Sequence, residues 1–134
     1  MILTVYTEVL NMSSLNKVIL IGNVGQDPII KYNDAHKGFA VLNIATNEKW
    51  KDKQTGHERD KTEWHKVVVY NDNLVKLIQN YVKKGSKLYI EGSLHTKKFT
   101  DSSGLEKQQT EIVLQGFNGS ILLLSSNKEK DLPF

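Results

Sequence analysis

Two kinds of chemistry are written into Thr62-Glu63-Trp64-His65-Lys66-Val67-Val68-Val69-Tyr70. Three consecutive valines with flanking aromatics favour a β-strand over a helix. Successive side chains of a strand point to opposite faces. Trp64, Lys66, Val68 and Tyr70 then share one face, and Glu63, His65, Val67 and Val69 the other. The first face carries aromatic rings around a cation, with about 6–7 Å for each two-residue step at ~3.3 Å per residue. Rings so spaced can stack bases while the lysine holds a phosphate. Ordinary aromatic packing on an exposed sheet is the competing reading. On the second face, Glu63 and His65 are close enough to form an acid–base pair. Such a pair is more often a structural hydrogen bond at a barrel wall or a subunit contact.

The aromatic–cation pattern recurs twice. Trp50 stands between Lys49 and Lys51, followed by Lys53, in the polar segment 48–61. Tryptophan in such a segment has no core of its own to enter, which suggests a binding contact. Packing back onto the rim of the fold is the alternative. Lys97 and Phe99 share one face of a later strand, and Lys98 opposes them. A binder of single-stranded nucleic acid needs rings for bases and lysines for phosphates, and Trp50, Trp64, Tyr70 and Phe99 with Lys49, Lys51, Lys53, Lys66, Lys97 and Lys98 supply both. An enzymatic constellation does not assemble. His36, His57, His65 and His95 are dispersed without metal-ligand spacing, so no catalytic group, metal or cofactor is expected.

The elements that would position these residues can be read in order. Lys17-Val18-Ile19-Leu20-Ile21-Gly22 is a first strand, and Gly22 and Gly25 suggest a bend. Asn33–Gly38 is a polar turn. Phe39–Asn47 alternates as a second strand, with Ala40, Leu42 and Ile44 on one face. The polar segment 48–61 reads as a mobile hairpin loop leading into the third strand. Asn71-Asp72-Asn73 offers an N-cap, and Leu74, Val75, Leu77, Ile78, Tyr81 and Val82 form a helical stripe. Lys83 and Lys84 are expected in its last turn, with Gly85 just beyond its end. Ser86–Gly92 is a fourth strand, resumed after a glycine break by Leu94–Thr100. Asp101-Ser102-Ser103-Gly104 is a turn, and Gln108–Gln115 a fifth strand.

Three strands, a helix and two strands make an all-β fold: a five-stranded OB-fold Greek-key barrel with one helix between strands 3 and 4, and long hairpin loops. Such barrels host many functions. A nuclease on this barrel would need a carboxylate cluster and arginine for phosphate. Arg59 is the only arginine in the chain.

The bulk properties fit one domain. The chain has 134 residues, a net charge of +3 and no cysteine, which excludes disulfides and thiolate metal sites. No apolar run approaches the ~20 residues that span a bilayer. Residues 1–11 have neither the basic start of a secretory signal nor the arginines of a mitochondrial presequence. Met12 offers a second start, so 1–11 are expected to be an upstream-start extension, a disordered arm or an added edge strand. Residues 12–124 form the barrel domain and 125–134 a short tail.

The chain resembles the bacterial single-stranded DNA-binding proteins of the replication type. Leu15–Pro28, Thr62–Val68, Lys84–Gly92, Asp101–Gly104 and Thr110–Leu114 carry the likeness. The resemblance implies a cytoplasmic, nucleoid-associated homotetramer that protects single-stranded DNA without sequence preference in replication, recombination and repair. It assigns base stacking to Trp50, Trp64, Tyr70 and Phe99, and places Lys17, Lys53, Lys66, Lys97 and Lys98 on the DNA path. It puts His65 at a subunit interface. Phe99 stands where the family commonly has tryptophan, which reduces the stacking area. Tyr70 replaces a common phenylalanine. The family's acidic tip, through which replication and repair proteins dock, corresponds to Asp131-Leu132-Pro133-Phe134, here with a single aspartate and a short linker. A dimeric primosome accessory protein of the same fold is the runner-up, and a nuclease stands behind it.

Overall fold

The computed structural model describes residues 13–125. Its elements are β1 (Val18–Val24), β2 (Ile29–Tyr32), β3 (Gly38–Lys51), β4 (Glu58–Val69), α1 (Asp72–Tyr81), β5 (Lys87–Thr100), β6 (Glu106–Leu114) and β7 (Ser120–Leu123). Alternation decides what they bury. Ala40, Leu42 and Ile44 of β3, Val67 and Val69 of β4, Leu88 and Ile90 of β5, and Ile112 and Leu114 of β6 all point into one core. A sheet with one apolar face must cover it, and here the sheet closes on itself.

Closure runs β1–β3–β4–β6–β5 and back to β1. Every pairing in the ring is antiparallel except β4 with β6, where Val67, Val68 and Val69 lie beside Ile112, Val113 and Leu114. This closed five-stranded barrel with a helix between β4 and β5 is the OB-fold. Two strands outside the ring were not legible in the sequence: β2 pairs β3, and β7 pairs β5. Asn71 caps α1, its side chain accepting from the N–H groups of Asn73 and Leu74. Val75 and Ile78 are buried and close one end of the barrel.

Several sequence expectations are corrected. The helix ends earlier, because Val82 is extended at φ −98° and ψ 128° while its N–H still bonds the Ile78 carbonyl. Val82 enters the core in that conformation, so Lys83 and Lys84 lie beyond the helix. Tyr81 is 65% exposed and does not join the packed stripe. Gly85, at φ +91°, serves the turn into β5 instead, where its N–H bonds the Val24 carbonyl. Gly92 does not interrupt its strand: β5 runs unbroken to Thr100.

The largest correction concerns 48–61. The β3–β4 ladder continues without a bulge from Ala40↔Val69 to Lys51↔Glu58. Only 52–57 form the loop, and Asp52 orders it by exchanging main-chain bonds with Gly56 and His57. The segment is therefore a twisted β-arm reaching beyond the barrel. β5 and β6 form a second arm, from Ser93↔Val113 to Thr100↔Glu106. Its tip is the expected Asp101–Gly104 turn. Asp101 accepts from Ser103 Oγ, from the N–H groups of Ser103 and Leu105, and pairs with Lys107. Those contacts, the Ser103 hydroxyl first, hold its carboxyl down at about 2.

Glycine is required where β1 leaves β5 for β3. A Cβ at Gly22 would lie 2.4 Å from the Ala45 carbonyl oxygen and 2.7 Å from Ile44 Cγ2. Gly22→Ala should therefore destabilise the barrel by about 1–3 kcal/mol. A urea melt would show this as a lower midpoint with an unchanged slope, and an unshifted midpoint would refute the close approach.

Candidate nucleic-acid interface

The register of β4 sorts the proposed site residues by face. Val67 and Val69 point inward, so Trp64 and Lys66 point outward. Ala45 opposes Trp64, which places Lys49 and Lys51 of β3 on the same outer side. The parallel pairing of Val68 with Val113 carries that outer side onto β6, at Glu111 and Val113. From there it passes to β5, where Ser93 opposes Val113 and His95 opposes Glu111. By alternation Lys97 and Phe99 follow on this side. One continuous outer surface thus holds Lys49, Lys51, Trp64, Lys66, His95, Lys97 and Phe99. Tyr70 joins it just past β4, its N–H bonding the Leu114 carbonyl and its ring 5.5 Å from that of Phe39.

Trp50 and Lys98 do not belong to this surface. Trp50 opposes Arg59, on the side of the ribbon that continues the core-facing row. Lys98 faces away from Lys97 in the same manner. The two arms therefore carry cations on both sides beyond the barrel's end, with Trp50 on one side of the first and Phe99 on the outer side of the second. Lys53 sits in the ordered tip of the first arm.

The four rings are open to solvent: Trp50 48%, Trp64 62%, Tyr70 46% and Phe99 41%. Rings of this size are normally covered, so their exposure leaves π-faces free for a planar ligand. Trp64 is nevertheless held in place. Its six-membered ring lies so close to Gly25 that a Cβ there would fall 2.2 Å from Cζ3. Gly25, read in the sequence as a strand bend, is thus a seat for the indole.

The cations are not equivalent. Lys66 Nζ lies 4.0 Å from Glu111 Oε2, whose residue is only 6% exposed. Lys17 Nζ lies 3.4 Å from Glu91 Oε2. Among the described residues, Lys49, Lys51, Lys53, Lys97 and Lys98 meet no carboxylate at ion-pair distance. They are the cations free to follow a phosphate chain. Glu111 and Glu91 were missed as partners of Lys66 and Lys17, since each pair lies far apart in sequence.

Glu63 and His65 do not bond each other. His65 Nε2 shares a 2.8 Å hydrogen bond with Thr46 Oγ1. Glu63 accepts from Lys61 at 2.9 Å, and that hydrogen bond, with the lysine's charge, holds its carboxyl below the ordinary value. Each group is thus engaged elsewhere, and no acid–base pair is formed between them. The tip Asp131–Phe134 and the segment 1–11 lie outside the described residues.

Residues 15–120 match the model of the Single-strand binding protein family. The chain belongs to that family. A relative from Rickettsia felis, named single-stranded DNA-binding protein, is 52% identical over 118 residues, spanning 88% of this chain and 78% of the relative. Another of the same name from Rickettsia prowazekii is 55% identical over 111 residues, 83% of this chain and 73% of the relative. Among solved structures, the Plasmodium falciparum SSB complex with ssDNA superimposes with a TM-score of 0.77 at 44% identity, covering 86% of this chain and 99% of that one. The OB-fold expectation and the family resemblance both hold.

The seat of Trp64 makes a direct prediction. Gly25→Ala should displace the indole without touching its own backbone, shifting tryptophan emission while the far-ultraviolet circular dichroism stays the same. An emission spectrum identical to that of the parent would show that the indole is not seated on Gly25.

Proposed function

We propose that this chain binds single-stranded DNA without sequence preference and protects it during replication, recombination and repair. The observation that carries this reading is the outer surface on which exposed Trp64, Tyr70 and Phe99 alternate with the free lysines of two arms. Every base has a π-face, so stacking is sequence-tolerant at about 1–3 kcal/mol per base. A duplex hides those faces, which makes the surface selective for single strands. Trp50, on the other side of its arm, extends the stacking around the ribbon's edge. Lys49, Lys51, Lys53, Lys97 and Lys98 neutralise phosphates directly. Lys66 and Lys17, each facing a carboxylate, contribute less. No catalytic step or cofactor is part of this function.

The working unit is a homotetramer. The outward face of β1, β5 and β7 exposes Ile19, Ile21 and Leu122 around Tyr89, an apolar patch suited to a second copy. Among the described residues, the edge of β1 away from β5 is paired only at Asn23 and Val24, with β3, and its first residues present an edge for a second copy. His65 acts at a subunit contact rather than in catalysis, with Thr46 setting its ring. The tip Asp131-Leu132-Pro133-Phe134 is the docking segment for replication and repair proteins. The chain works in a bacterial cytoplasm, associated with the nucleoid.

Titration of intrinsic tryptophan fluorescence with oligo-dT at two salt concentrations tests the reading. Strong quenching is expected, with weaker binding at higher salt because counterions are released from the phosphates. Unchanged emission at saturating DNA would refute stacking on Trp50 and Trp64.

A further inference from the structure

The outer row of β5 does not stop at the second arm. Glu91, Ser93, His95, Lys97 and Phe99 share one side of the strand by alternation. At its inner end this row enters a cleft of about 510 Å³, walled by the segment Leu15–Lys17 on one side and by Gln115, Phe117, Gly119 and Ser120 on the other. That volume lies within the range of small-ligand sites.

The cleft is built rather than incidental. The Asn16 amide donates to the Leu94 carbonyl and accepts from the Leu94 N–H, both at 2.8 Å, so the first wall is pinned to β5 as if it were another strand. Lys17 is held by Glu91, which also accepts from the Tyr89 hydroxyl. That bond from Tyr89, then Lys17, holds the Glu91 carboxyl below its ordinary value and keeps it charged against Lys17. The lysine thus offsets a carboxylate that would otherwise repel a phosphate. Ser93 and His95 share a 2.9 Å hydrogen bond on the floor.

The second wall presents Phe117, which is fully exposed on a single 3-10 turn. The turn is fixed from both sides. Gly116 takes φ +58°, and a Cβ at Gly119 would lie 2.8 Å from the Leu114 Cβ. A phenylalanine held out on so tight a turn, at the mouth of a polar cleft, is a ring without a partner.

We propose that this cleft is an additional nucleotide subsite, with a base stacked on Phe117 and the adjoining phosphates passing His95 on their way to Lys97. The ligand is one or two nucleotides at the end of the bound single strand. A polar floor beside one aromatic suits a nucleobase, which has polar edges and an apolar face, better than it suits an apolar peptide. Continuity with Lys97 and Phe99 along a single strand face says which ligand arrives there. This rests on the reading of the chain as a binder of single-stranded DNA.

The test uses the full chain carrying Trp50→Phe, Trp64→Phe and Phe117→Trp, so that one indole reports from the cleft. Fluorescein-labelled oligo-dT gives binding by anisotropy, and the indole's emission is read in the same titration. Quenching of the indole as the anisotropy saturates is expected. Saturating anisotropy with unchanged emission would overturn the subsite while leaving the function intact. Absence of any anisotropy change with the parent chain would overturn both. Phe117→Ala should cost roughly tenfold in affinity for long oligo-dT, the size of one weak base stack, and leave the sedimentation of the free protein unaltered. A changed assembly mass would make Phe117 a subunit contact and refute the proposal.

Discussion

The burial of Val67 and Val69 decides how every other residue of β4 is displayed. Both valines are without solvent exposure, and a strand has only two faces. A slip of one residue would drive Trp64 and Lys66 into the core and turn the valines to water. The parallel pairing with Ile112–Leu114 and the antiparallel pairing with Ala40–Leu42 lock this register from both sides. The outer surface proposed to stack bases is thus a by-product of core packing. Its residues need little stabilisation of their own, because the barrel has already fixed their direction.

The same constraint explains why the arms tolerate so much polarity. Beyond the barrel, β3 with β4 and β5 with β6 have no core to cover, and both faces of each arm meet solvent. Main-chain ladders, the Asp52 loop and the Asp101 turn carry their order instead. Side chains there are free to serve a ligand. Cations can lie on both sides of each ribbon, as Lys97 and Lys98 do. A flexible polyanion can follow such a ribbon around its edge, which a flat rigid ligand could not.

This division also marks what was legible in the sequence. The β4 alternation, the inward row Ala40–Leu42–Ile44, the Asn71 cap and the Asp101 turn were all readable, because each is a local pattern that local forces enforce. The arm at 48–61 was not. Its residues are polar on both faces, so no hydrophobic period betrays the ladder, and it read as a loop. β2 and β7 are four residues each, too short for a period to show. The helix end was misplaced because Lys83-Lys84-Gly85 has the composition of a terminus, whereas the core's claim on Val82 ends the helix earlier. Pairings such as Lys66 with Glu111 and Lys17 with Glu91 join residues far apart in the chain. Only the closed barrel shows them, and they separate engaged cations from free ones.

The proposed binding rests on base stacking rather than charge alone, and one comparison separates these most directly. The affinity for oligo-dT is measured by anisotropy against an abasic oligonucleotide of the same length, at the same salt. Both carry the same phosphates, but only the first can stack. Stacking on Trp64, Tyr70, Phe99 and Trp50 predicts that the abasic strand binds at least roughly a hundredfold more weakly, as expected from losing several stacks of about 1–3 kcal/mol each. Equal affinity for the two strands would contradict it and leave the exposed rings without a role in binding.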